Sequence, residues 1–168
     1  MRKLVLTLIA LVLALPTWAQ DRRPSHCIAI ADAAPGLEYL QKASWQAPVE
    51  DEFTVRLSYI DHSMYLIQTS GGLSAVTDYV GYIGAVGLIP NVVTMNNAHS
   101  SHWTAFPNRE IDHVLGGWPV GGAPADHHLD LGEMLVRNVT TDIRGGFTGE
   151  RRNDGNSIFV FEVAGLCI

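Results

Sequence analysis

The sequence predicts a mixed α/β (α+β) domain in which short strands dominate, and three observations predict it. Phe53, Val55, Leu57 and Tyr59 alternate with Thr54, Arg56 and Ser58, the period of a half-buried strand. Val92 to Met95 is a short apolar run of the kind found in strands buried on both faces. Gly36 to Ala47 sets Leu37, Tyr39, Leu40, Ala43 and Trp45 on one face of a short helix that Pro48 ends.

The elements follow in order. Met1-Arg2-Lys3 is a positive start, Leu4 to Leu15 an apolar core, and Ala19 a small residue before a cut site, so residues 1–19 read as a signal peptide. The apolar run is short for a bilayer span. The expected location is secreted or periplasmic, with no integral membrane anchor after cleavage. Residues 20–52 form an N-terminal extension carrying the short helix, and residues 53–168 form the main domain. Within it, Phe53 to Tyr59 and Met64 to Thr69 are strands, Ser70-Gly71-Gly72 is a turn, and Leu73 to Thr77 is a third strand, together an antiparallel meander. Asp78 to Pro90 reads as loop or weak helix, and Ala105 to His128 as mostly loop. Leu135 to Thr141 and Ser157 to Val163 are further strands, with Gly145 to Asn156 an exposed polar loop between them. Ala164-Gly165 turns the chain into Leu166-Cys167-Ile168. A chain that stops within an apolar strand just begun is expected to be a fragment of a longer domain.

Charge narrows the function classes. Removing residues 1–19 takes away Arg2 and Lys3, two of the 11 basic side chains, and none of the 17 acids, leaving a formal charge of −8. Such an acidic product is not expected to bind nucleic acid. A small-molecule substrate is the open alternative. The two cysteines, Cys27 and Cys167, are either a disulfide, worth about 4–5 kcal/mol in the chain-entropy picture for so long a loop, or two free thiols.

The chemistry-bearing segment is Asn97-Ala98-His99-Ser100-Ser101-His102, directly after the apolar strand. A rigid strand that opens into a loop with two histidines is a way to present imidazoles to a metal. Tyr59-Ile60-Asp61-His62-Ser63-Met64, then Gly71-Gly72-Leu73, then Thr77-Asp78, precede it in order. This ordered set resembles the N-terminal half of the metallo-β-lactamase superfamily. The resemblance implies an αββα sandwich, incomplete in this chain, and hydrolysis that depends on zinc, the number of ions left open. It also implies a His-x-His-x-Asp-His motif. Asn97 then stands for the first histidine, His99 matches the second, Ser101 stands for the aspartate and His102 matches the last histidine. Asp78 matches the structural aspartate that braces the metal loop.

Two of the motif's positions therefore lack good zinc donors, since an amide gives up little charge and Ser101 has no carboxylate. Four-coordinate zinc needs further ligands. Asp142 follows the strand that normally leads to the next metal histidine, and His127 and His128, with Asp126 and Asp130, are weaker candidates. The alternative for that group is a solvated acidic loop. His62 is expected to bond a neighbouring loop. Trp103 and Trp118 either flank the mouth or cover the core edge. Asn138-Val139-Thr140 is a glycosylation triplet inside a strand. No catalytic nucleophile is assigned, because Ser100 and Ser101 beside histidines do not make a triad. The readings that remain are an exported zinc-dependent hydrolase with an atypical site, a non-catalytic envelope binding or structural relative that lost its ligands, and an inactive fragment of a longer hydrolase.

Overall fold

The computed structural model describes residues 44–84, 87–97, 99–144 and 149–168. Among the described residues, nine strands form two sheets. The first has the order β1-β2-β3-β4-β5, from Val55–Asp61, Met64–Thr69, Ser74–Val76, Val92–Met95 and His113–Gly116. The second has the order β6-β7-β8-β9, from His128–Asp130, Met134–Arg144, Arg151–Val163 and Leu166–Cys167. The expected meander holds for β1 to β3, which pair antiparallel. Beyond it the sheet changes direction, and β3, β4 and β5 are parallel.

Period-two alternation decides which side chains meet. Ile67, Ala75 and Val92 are register partners across β2, β3 and β4 and face one way. They pack on Met134, Val136, Phe161 and Val163 of the second sheet, and these seven form the core between the sheets. Leu66, Val76 and Val93 are the alternate partners and face the opposite way. With Met64 and Met95 they form a second core under Tyr79 and Ile111, with Trp103 and Trp118 packed against it. The first sheet is therefore buried on both sides, as the composition of β4 requires, and all four residues of β4 are buried. The cover over its outer face, among the described residues, is loop rather than helix. The one helical element there is a 3-10 turn at Ser100–His102. The predicted helix over Gly36 to Ala47 falls mainly outside the described residues, and its last part, from Ser44, is a turn closed by the Ala47 amide on the Ser44 carbonyl at 3.0 Å.

Two loop expectations are corrected. The stretch from Ala105 to His128 contains β5, which extends the parallel sheet from His113. Within the segment expected as exposed loop before Ser157, residues 151–156 are strand, because β8 starts at Arg151 and pairs with β7 as far as Arg144. Polar residues hid this ribbon, since a two-stranded arm extending past the core has no buried face to set an apolar period. Of the two cysteine alternatives, no free thiol occurs among the described residues. Cys167 in β9 is disulfide-bonded, and the chain's other cysteine, Cys27, lies outside the described residues.

The inter-sheet core gives a stability test. Ile67 is fully buried at its centre, so Ile67→Ala should cost about 2–5 kcal/mol. Guanidinium unfolding of the two proteins should show this as a lower midpoint with a similar slope, and a loss below about 1 kcal/mol would mean the two sheets are not packed as described.

Candidate metal centre

Three parallel strands and one hairpin bring the candidate residues to one edge of the first sheet. The carboxyl ends of β3, β4 and β5 lead into Asp78, Asn96 and Gly117. The turn between β1 and β2, His62-Ser63, reaches the same edge because β2 runs antiparallel to β3. Thr77 ties the two together: its hydroxyl donates to the Ser63 carbonyl at 2.8 Å and accepts from the Tyr65 amide at 2.9 Å. Ligand sites of open sheets with parallel strands form at this edge, where loops begin and backbone groups lose their ladder partners. His62 and Asp78 both hold a left-handed backbone, φ 48° and 45°. His and Asp adopt that region more readily than most side chains. Asp61 stands where the resembled family has glycine. The turn is nevertheless satisfied, because the positive φ falls on His62, and the Asp61 carboxylate accepts the His62 amide at 2.9 Å.

His102 is the best-defined member. Its Nδ1 lies 3.2 Å from Asp78 Oδ2 and 3.0 Å from Ser63 Oγ. A carboxylate can only accept, so Nδ1 carries a proton in this contact. Both contacts fall on the same nitrogen, which excludes a serine–histidine–aspartate triad: a triad needs the hydroxyl and the carboxylate on opposite nitrogens. A carboxylate behind Nδ1 is also the usual support of a metal-ligating histidine. The His99 ring lies 5.7 Å from that of His102, and the His62 ring 5.1 Å, centroid to centroid. His62 thus contributes an imidazole to the cluster, beyond the loop-bonding role expected for it. The loop that carries His99 is closed by the Asn96 amide on the His102 carbonyl at 3.0 Å.

Asp78 is itself held by a residue that sequence reasoning missed. Asn96 Nδ2 donates to Asp78 Oδ1 at 3.3 Å, and Asn96 Oδ1 accepts from the Ser157 amide at 3.0 Å. Ser157 Oγ donates to the Gly117 carbonyl and accepts from Asn138 Nδ2, both at 3.0 Å. Gly117 has to be glycine, since a Cβ there would lie 2.3 Å from Asn96 Oδ1. Asn138 is consumed by this network: its amide also donates to the Ala125 carbonyl and accepts from the His127 amide. The glycosylation triplet is therefore structural. Only a side-chain amide on both ends of such a network could have signalled Asn96, and nothing in its spacing does so.

The remaining candidates lie in other settings. Asn97 Oδ1 accepts from the Arg152 guanidinium at 2.6 Å. Ser101 is half-buried in the 3-10 turn. His127 Nε2 donates to the Gly116 carbonyl at 2.8 Å, and its ring stacks on Phe159, which occupies that nitrogen. His128 lies in β6 with Nε2 buried. Asp142 accepts from the Asp154 amide at 2.9 Å and pairs with Arg151. Those donors, the amide first and the guanidinium second, hold its carboxyl below the usual range. Trp103 and Trp118 stand edge to face at 6.2 Å and pack against the outer core. Elsewhere the outer layer has a recess of about 270 Å³ lined by Tyr79, Ile83, Leu88 and Ile111. It is below the size usual for ligand pockets, and the histidine edge is the stronger candidate.

By the motif, His99 and His102 come one from each half-site, and their rings lie 5.7 Å apart, but among the described residues no three His, Cys, Asp or Glu side chains gather to hold an ion. Where the motif's first ligand belongs, Asn97 is already bonded to a cation.

Residues 56–168 match the family model described as the beta-lactamase superfamily domain. The chain belongs to the metallo-β-lactamase superfamily. No curated protein matches it.

Two measurements test the site as built. Asp78→Gly keeps the left-handed backbone and removes the carboxylate, so the His102 ring should move from the Nδ1-protonated tautomer to a mixture. Imidazole ¹⁵N shifts read this directly, and an unchanged tautomer would show that Asp78 does not hold the ring. Asp142 has a depressed folded pKa, so its stabilising contribution is present above the ordinary carboxylate value of 3.8 and lost as pH falls through the lower folded value. Asp142→Asn should be less stable than the parent at pH 5 and converge with it in stronger acid, as followed by thermal unfolding across that range.

Proposed function

We propose that this chain is an exported hydrolase of the metallo-β-lactamase superfamily, acting on a small-molecule substrate in the periplasm or outside the cell. Its two sheets are read as the central layers of an αββα sandwich. Its site is read as mononuclear, with His99 and His102 holding one zinc ion and further donors coming from outside the described residues. The observation that carries this reading is the clamp on His102. Asp78 and Ser63 both engage Nδ1, and the His99 ring lies 5.7 Å from that of His102. When bound, zinc supplies Lewis-acid chemistry that makes water nucleophilic near neutral pH. The chain's own residues do the rest: Asp78 and Ser63 hold the His102 ring, and Asn96 holds Asp78. Support for export is the first 19 residues, and the acidic balance argues against a nucleic-acid substrate.

A second reading, a non-catalytic binding relative in the envelope, has its own support in the Asn97–Arg152 bond and in Ser101, which has no carboxylate. One experiment separates the two. Full-length gene product purified without chelator should carry close to one equivalent of zinc, and His102→Ala should lower its zinc affinity by at least tenfold. Stoichiometry near zero that His99→Ala leaves unchanged, with sharply higher affinity after Asn97→His plus Ser101→Asp, would establish the non-catalytic reading instead.

A further inference from the structure

The edges of the two sheets differ in length. Among the described residues, the edge strands β5, β6 and β9 have four, three and two residues, whereas β1 has seven. Proteins blunt sheet edges with short strands, prolines or lysines, because unpaired N–H and C=O groups template another strand. β1 has no proline and no lysine, and its one arginine is turned onto the outer face, where Arg56 donates to the Ala47 and Pro48 carbonyls. Which backbone groups meet the open edge follows from β2. The Tyr65 amide donates to Thr77 Oγ1 at 2.9 Å, the Tyr65 carbonyl accepts the Thr77 amide at 3.1 Å, and the Thr69 amide donates to the Leu73 carbonyl at 3.0 Å. Tyr65 and Thr69 thus spend their main-chain groups away from β1. Their register partners Tyr59 and Val55, and Leu57 between them, turn theirs toward the open edge. The same three side chains share the face of Ile67. Val55 packs against the inter-sheet core, but Leu57 is 45% exposed, Tyr59 63% and Tyr65 45%, the two tyrosines standing edge to face at 5.4 Å. An open ladder and an apolar row therefore coincide, and the row continues the inter-sheet core.

We propose that β1 is the interface for a second copy of this chain: two β1 strands pair antiparallel about a two-fold axis at Leu57 and join two five-stranded sheets into one. This register sets Leu57 against its own copy and Val55 against the partner's Tyr59. Each of these residues offers an N–H and a C=O, so the outward groups of the whole stretch find partners. The run Val55-Arg56-Leu57-Ser58-Tyr59 has the same apolar and polar order in both directions, as an isologous interface demands. On the opposite face Arg56 meets the partner's Ser58, so no like charges oppose each other. The register shift between Tyr59 and Asp61 ends the regular ladder before the Asp61 carboxylate. Pairing also stiffens the hairpin whose tip carries His62 and Ser63. The proposal does not rest on the zinc reading.

Sedimentation equilibrium of the full-length protein over a concentration series is the test. A reversible dimer is expected, concentration-dependent because an edge ladder is a small interface, under about 1,200 Å². It should tighten as salt rises, since the copies carry like net charge and the ladder holds no ion pair. Leu57→Lys sets two like charges on the axis and should weaken the dimer at least tenfold, with circular dichroism reporting that the monomer is folded. Leu57→Cys reads the register even where the lysine variant fails to fold. Across a hydrogen-bonded pair the Cα atoms lie about 5.5 Å apart, within disulfide reach, so diamide should trap a reducible dimer that the parent does not form. Tyr59→Cys faces the partner's Val55 and should not be trapped. A dimer that folded Leu57→Lys leaves unchanged, or trapping of Tyr59→Cys but not of Leu57→Cys, would overturn the proposal. So would a parent that stays monomeric throughout, which would leave the edge to a strand of another protein.

Discussion

One amide group, the side chain of Asn96, joins the two sheets and sets the site. Its oxygen takes the Ser157 amide from the second sheet, and its nitrogen holds the Asp78 carboxylate at the edge of the first. Asp78 in turn decides which nitrogen of His102 carries the proton. Every step is a hydrogen bond between half-buried or buried groups, and a buried group left unpaired costs about 1–3 kcal/mol. The imidazole geometry is thus inherited from the packing of the sheets and does not depend on the exposed loop alone.

The rest of the architecture makes that joint possible. The first sheet is buried on both faces, so β4 cannot slip by one residue without exchanging its two cores. The end of β4 is therefore a fixed point, and the chain leaving it is free to carry polar side chains. Gly117 lets the end of β5 approach within contact of Asn96, where any side chain would collide. The left-handed backbone at Asp78 turns its carboxylate back toward the loop. Strain of this kind concentrates where a fold positions function.

The long β7–β8 ribbon adds the second half of the site. Its arm extends past the inter-sheet core and carries two adjacent arginines, one paired with Asp142 and one reaching Asn97. Neighbours on a strand point to opposite faces, so Arg151 and Arg152 serve different partners. Arg152 stands against Asn97 at an edge that also carries Asp61 and Asp78, and this has a direct bearing on the atypical motif. Asn97 is a poor zinc donor, but it is a good acceptor for a guanidinium.

Much of the fold was legible in the chain itself. Alternation at Phe53 to Tyr59 and the apolar run at Val92 to Met95 located β1 and β4; all four residues of β4 are buried, whereas Phe53, Leu57 and Tyr59 are exposed, so the apolar phase of β1 is not its buried one. The segment from Asn97 to His102, with Asp78 upstream, pointed to the family that the match over residues 56–168 bears out. Legibility ended where a side chain's role depends on distant partners. β5 and the outer part of the β7–β8 ribbon carry no apolar period of their own and exist because another strand offers a ladder. Asn96 meets Ser157 across 61 positions, and Asn97 meets Arg152 across 55. The sequence by itself determined the strands with buried faces and the histidine loop, because local periodicity and spacing encode them. The tertiary structure alone decided which nitrogen of His102 meets Asp78 and which cation stands beside Asn97, because hydrogen bonds between remote segments carry no local signature.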